Sequence, residues 1–181
     1  MDRYFSRMKA KGHCPPRKPF KKIVWSWVGS FVGILLITSI ASWHGPSIDV
    51  TYIVGSFGAS AVLVYGAPLA EFSQPRNLIG GQLISALVGV TVYKLFGDNV
   101  LLASALAVSV SIASMHLTRT LHPPGGATAL IAVVGSQATH ELGYWYAVVP
   151  IFTGSLMLLI VALLVNNMSS NPNRHYPVYW L

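Results

Sequence analysis

HPPGGATALIAVVG, from His122 to Gly135, and IVGSFGASAVLVYGAP, from Ile53 to Pro68, are apolar runs that glycine and proline cut short. Each holds about 8 to 10 uninterrupted apolar residues, half of the roughly 20 that a helix needs to cross about 30 Å of hydrocarbon. They predict broken or half-membrane helices. Backbone groups freed at such breaks must be satisfied inside the protein or by water in a cavity, because lipid offers no partners. The two runs also match each other. Gly58-Ala59-Ser60-Ala61 followed by Val62-Leu63-Val64 parallels Gly126-Ala127-Thr128-Ala129 followed by Leu130-Ile131-Ala132, at an offset of 68 residues.

The runs sit between long uncharged windows. Beyond Lys22 the charged side chains are Asp49, Glu71, Arg76, Lys94, Asp98, Arg119, Glu141 and Arg174, which punctuate the chain at intervals. Ordinary spanning helices are predicted over 23–44, 77–96, 99–118 and 144–166. Ser, Thr and Gly stand where a soluble helix would carry charge. With 53% hydrophobic and 9% charged residues and a mean hydropathy of +0.57, nothing is left to build a water-facing surface. The expected fold is an all-α membrane protein of two repeats, each helix, broken or half helix, helix. The repeats have inverted topology if both short segments cross.

The net charge of +7 does not indicate nucleic acid, because eight basic residues against Asp2 concentrate in the first 22 positions and the remainder is neutral. That placement puts the N terminus in the cytoplasm. Three parts follow: a basic cytoplasmic tail over 1–22, a membrane domain over 23–166 and a short cytoplasmic tail over 167–181. Six crossings place Arg76, Arg119 and Arg174 inside and Lys94 outside. Four crossings, with both short segments re-entrant, place Lys94 and Arg174 inside and Arg76 and Arg119 outside. The basic tail reads as a solvated topogenic signal that also meets anionic lipid headgroups. Cys14 is the one cysteine, which leaves no intrachain disulfide and no cysteine zinc site.

Any chemistry should centre on residues 115–128. Pro123 and Pro124 can open a helix, and Gly125 and Gly126 would then leave bare N–H groups at a helix start suited to a small anion. Thr128 adds a hydroxyl, and Arg119 and His122 add donors or positive charge. The first repeat offers Ser56, Gly58 and Ser60 at the matching place, followed by Gln74, Pro75, Arg76 and Asn77 at the opening of the next helix. Two facing helix starts would clamp one small oxyanion. The competing reading is that the glycines only permit tight packing and that Arg119 is a membrane-edge anchor. His122, and after it His116, are the candidates to carry a proton with the anion.

HPPGGATALIA, together with QPRNLIGGQLISALVG upstream, resembles the HPP family of integral membrane proteins over residues 23–166. His122, Pro123 and Pro124 carry the family motif, and Gln74, Pro75, Arg76 and Asn77 match a second block. The resemblance implies a small-anion transporter, nitrite first, of a bacterial cytoplasmic membrane. No paired carboxylates, metal-spaced cluster or nucleophile elbow suggests an enzyme, a metal or another cofactor. The expected partners are a small inorganic anion, lipid and further copies of the chain in a homo-oligomer. A non-transporting scaffold or sensor, or a channel for other solutes, is the alternative.

Overall fold

Glycine and proline decide where each helix stops, and the computed structural model describes the outcome for residues 7–8, 12–43, 50–168 and 175–181. Helix α1 (Phe20–Trp43) is followed by α2 (Val50–Ala61), which relaxes into a π-helical turn over Val62–Gly66. A 3-10 turn at Glu71–Ser73 leads into α3 (Pro75–Phe96), with Pro75 in the first turn, where its missing N–H costs nothing. Next come α4 (Val100–Leu117), α5 (Pro124–Val134) and α6 (Gln137–Leu142). A distorted turn around Pro150 then feeds α7 (Thr153–Asn167). No strand occurs among the described residues.

Four helices are long and apolar enough to cross a membrane: Phe20–Ser39, Pro75–Phe96, Val100–Leu117 and Ala147–Asn167. The predicted spans thus lie within a few residues of the observed ones, and Gly55–Gly66 and Pro124–Val134 are the shorter apolar helices. Trp27, Phe31, Leu101 and Leu117 point outward, with Leu101 86% exposed. Such an apolar exterior suits a lipid solvent.

Contacts between helices fix their directions. Ser26 near the start of α1 donates to the Tyr65 carbonyl (2.8 Å), and Asn166 near the end of α7 donates to the Val64 carbonyl (3.1 Å). The start of α1, the end of the α2 segment and the end of α7 therefore share one end of the bundle, called here the tail end. Helix α3 leaves from that end alongside α5, since Gly81 faces Thr120 and His122 while Gly89 faces Ala129 and Ala132. At the opposite end Thr91 meets Tyr144 (3.2 Å) and the Tyr93 and His140 rings stack 3.8 Å apart. Both short segments thus run between the ends, and the chain traverses the bundle six times. This puts Arg76 and Arg119 at the tail end of the bundle and Lys94 at the other. Arg174, Arg3, Lys9, Lys11 and Asp49 lie outside the described residues.

The core has two parts. The larger joins Phe57 and Tyr65 of α2 and its π-helical turn, Leu78 of α3, Tyr146 and Ile151 of the segment around Pro150, and Leu158 of α7. The smaller joins Val92, Ala103, Ala107, Ala129 and Val133, where small residues let α3, α4 and α5 approach closely. Residues 175–181 fold back onto the tail end. There Tyr176, fully buried, donates to the Ser73 carbonyl (2.9 Å), and Gln74 Oε1 accepts from the Val178 N–H (2.8 Å).

Candidate functional site

Ser56 and Ser60 stand one turn apart on α2 and so share a face. That face meets Gln82 of α3, Thr128 of α5 and His122 in the loop before α5. All five are fully buried, in a position where a polar group without a partner is costly. Gln82 is the hub. Its Nε2 donates to Ser56 Oγ (3.0 Å) and Ser60 Oγ (2.9 Å), and its Oε1 accepts from the Thr128 hydroxyl. Ser56 in turn donates to the Pro124 carbonyl (3.1 Å).

The same chain of bonds fixes the histidine tautomer. His122 Nδ1 lies 2.7 Å from the Phe72 carbonyl, which can only accept, so Nδ1 carries a hydrogen. His122 Nε2 then accepts from Ser60 Oγ at 2.8 Å. With the imidazole neutral, every polar side chain of the network has a partner. With α3 rising about 1.5 Å per residue, Gln82 lies about 10 Å below its start. The cluster is therefore inside the bundle but nearer the tail end.

How the chain reaches that depth is set locally. Helix α4 ends in a Schellman motif, with Thr120 N–H bonded to the Met115 carbonyl (2.9 Å) and Arg119 N–H to His116 (3.2 Å). Arg119 takes the left-handed position at φ 59°, which usually belongs to glycine. The loop then drops past α3, held by Asn77 Nδ2 on the Leu121 carbonyl (2.9 Å). Gly81 makes room for it, since a Cβ there would lie 2.6 Å from the Thr120 carbonyl oxygen.

The structure departs from the sequence reading at the helix starts. The Gly125 N–H bonds to the His122 carbonyl (2.8 Å) and the Gly126 N–H to the Pro123 carbonyl (3.1 Å), so neither is a bare donor. The tight turn that the two prolines impose consumes both. Gly125 serves close packing instead: a Cβ there would meet Ser85 Oγ at 2.5 Å and the Gly81 carbonyl at 3.0 Å. No pair of helix starts faces across a ligand position, because α3 and α5 run parallel and begin at different depths. Gln74 and Asn77 are occupied in holding loop and tail, with Gln74 Nε2 on the Pro68 and Ala70 carbonyls and Asn77 Oδ1 accepting from the Tyr179 hydroxyl. Arg76 donates to the Thr118 carbonyl (2.9 Å) at the edge of the bundle. Arg119, His116 and Pro123 are exposed and Gly58 is half-buried, all outside the cluster.

Gln82 was not among the residues singled out from the sequence. The available signal was an amide in the middle of an otherwise uncharged spanning helix, which must face protein and find partners. Among the described residues no group of His, Cys, Asp and Glu is placed to hold a metal.

A bundle of apolar-surfaced helices with two interrupted members meeting at a buried polar cluster defines a multi-pass membrane protein. The sequence matches the family described as "HPP, transmembrane region" over residues 15–177, and the chain belongs to that family. Two curated transmembrane proteins of Dictyostelium discoideum are similar to it. One is 42% identical over 98% of this chain and 57% of its own length; the other is 43% identical over 92% and 58%. The chain thus spans little more than half the length of these relatives, neither of which is bacterial. No solved structure matches it.

Proposed function

We propose that the protein transports a small inorganic anion, nitrite first, across a membrane through the Ser56–Ser60–Gln82–His122–Thr128 cluster, with its basic tail on the cytoplasmic side. The observation that carries this reading is the cluster itself, placed where two interrupted helices cross. Ser56 of one segment bonds to Pro124 of the other at the repeat offset of 68 residues. Helix packing supports inverted repeats. Helix α2 lies against α1 and α7, and α5 lies against α4 and α3, so each short helix touches the first helix of its own unit and the last of the other. Paired interrupted helices of this kind build the substrate sites of many secondary transporters.

The cluster offers hydroxyl and amide donors without a fixed cation, so a second charge must compensate an anion. A proton arriving at His122 Nε2 would take over the bond to Ser60 Oγ. The Ser60 hydrogen would then be free to turn toward an anion, and the imidazolium would supply the compensating charge. Carrying a proton also removes the opposition of the membrane potential, about 2.3 kcal/mol per charge at 100 mV.

A second reading rests on the mutual satisfaction of the network. Groups so fully bonded to one another can act as a packing device in a scaffold or sensor. Purified protein in liposomes separates the two. Nitrite uptake that follows an imposed pH gradient supports the transporter. The absence of flux for nitrite, nitrate, formate and chloride, in vesicles where the protein is shown to be intact, supports the scaffold.

A further inference from the structure

A cleft of about 340 Å³ opens at the tail end between the 3-10 turn and the end of α4. Glu71, His116 and Arg119 line its rim, and Phe72, Met115 and Leu121 its floor. The floor touches the cluster from above. The Phe72 carbonyl holds His122 Nδ1 at 2.7 Å, and Met115 Sδ receives the Ser85 hydroxyl at 3.5 Å. One apolar layer therefore separates the cleft from the buried polar groups. On the other side of the cluster Tyr146, fully buried, caps the Thr128 carbonyl (3.0 Å).

The rim carries a positive balance. Tyr179, at its edge, has its pKa raised above the ordinary phenol value by burial and by Glu71, against the opposing pull of Arg76 and Arg119, so all three charges gather within range of one hydroxyl. Two guanidiniums against one carboxylate leave the mouth positive. Arg119 also occupies the left-handed position of the Schellman motif, where a side chain carries a steric cost that glycine avoids. Strain of this kind collects at functional positions.

We propose that this cleft is the vestibule of the anion pathway, with Arg119 as the residue that captures a small oxyanion and Phe72, Met115 and Leu121 as the apolar gate above the cluster. The assignment rests on the transport reading, but its electrostatic content stands without flux. Local positive potential in a confined mouth raises the concentration of anions there.

The test uses Leu121→Cys in a Cys14→Ser background, reacted in detergent micelles with thiosulfonates of similar size and opposite charge. The anionic reagent should label about tenfold faster than the cationic one. Saturating nitrite should slow that labelling. Arg119→Gln should erase both the preference and the protection, while Arg119→Lys keeps them. Arg119→Gly relieves the backbone and so tests the same loss in a variant that folds at least as well. Glu71→Gln should shift the preference further toward the anion. A charge preference indifferent to Arg119, or a cationic reagent that labels faster, overturns the vestibule and leaves the transport reading to its own flux assay. Normal preference and protection in a protein without flux would keep the capture site and remove the transporter.

Discussion

Ser60 Oγ lies 2.8 Å from His122 Nε2, so buried side chains 62 residues apart in the chain join the first interrupted helix to the loop that opens the second. Gln82 completes the junction by donating to Ser56 and Ser60 together and accepting from Thr128.

That geometry makes Gln82 the residue whose loss should be felt most. Gln82→Leu keeps the volume but strands Ser56, Ser60 and Thr128 without their hub. Each buried hydrogen bond lost is worth about 0.5–1.5 kcal/mol, while the hydroxyls keep their bonds to Pro124, to His122 and to one another. A clear drop in the thermal midpoint of purified protein in micelles, followed by tryptophan fluorescence, is expected together with loss of nitrite uptake. A midpoint equal to that of wild type would mean the cluster relaxes into its own apolar surroundings.

Substitution of His122 can separate the two ring nitrogens. Asn at this position keeps a donor near Nδ1 for the Phe72 carbonyl, whereas Gln reaches toward Nε2 and Ser60. If Nε2 carries the travelling proton, both variants should hold their fold and lose pH-driven uptake when external pH is stepped from about 8 to 6 at fixed potential. Retention of the full pH response in either one would send the proton by another route.

The six traversals predict which side each loop faces. Cys14, exposed on the basic tail, is a built-in reference. In a Cys14→Ser background, cysteines at the exposed positions Leu69 and Thr118 should label from the same side as Cys14, and one at Asp98 from the opposite side. Labelling of Thr118→Cys together with Asp98→Cys from one side in intact cells would refute the arrangement.

The adjacent glycines of the motif should behave differently. A Cβ at Gly125 meets Ser85, Gly81 and Met115 within 3.1 Å, whereas at Gly126 the nearest atom is Val108 Cγ1 at 3.8 Å. Gly125→Ala should destabilise by about 1–3 kcal/mol through overpacking. Gly126→Ala should be neutral or add up to about 1 kcal/mol, since alanine is the better helix former. Flux should survive Gly126→Ala, because its amide is already bonded. Flux abolished in a folded Gly126→Ala protein would restore the helix start as an anion donor.

The sequence alone determined the membrane class, the four long helices and the two short ones. Hydrocarbon imposes a length near 20 residues and excludes charge, so charged residues and Gly-Pro breaks mark the boundaries without reference to any partner. It also pointed to Ser56, Ser60, His122 and Thr128, through the repeat and through polar residues in otherwise apolar segments. Only the tertiary structure decided which of the candidates meet. Gln74, Asn77 and Arg76 read as site residues but donate to loop carbonyls and, for Gln74 and Asn77, accept from the tail, and Gln82 was passed over although it is the hub. The reason is physical: a hydrogen bond between α2 and α3, or between α2 and the loop before α5, depends on how deep each helix starts and which face it turns inward. Those depths follow from the packing of Gly81 and Gly89 against α5 and its preceding loop, contacts between segments 40 residues apart that no local pattern records.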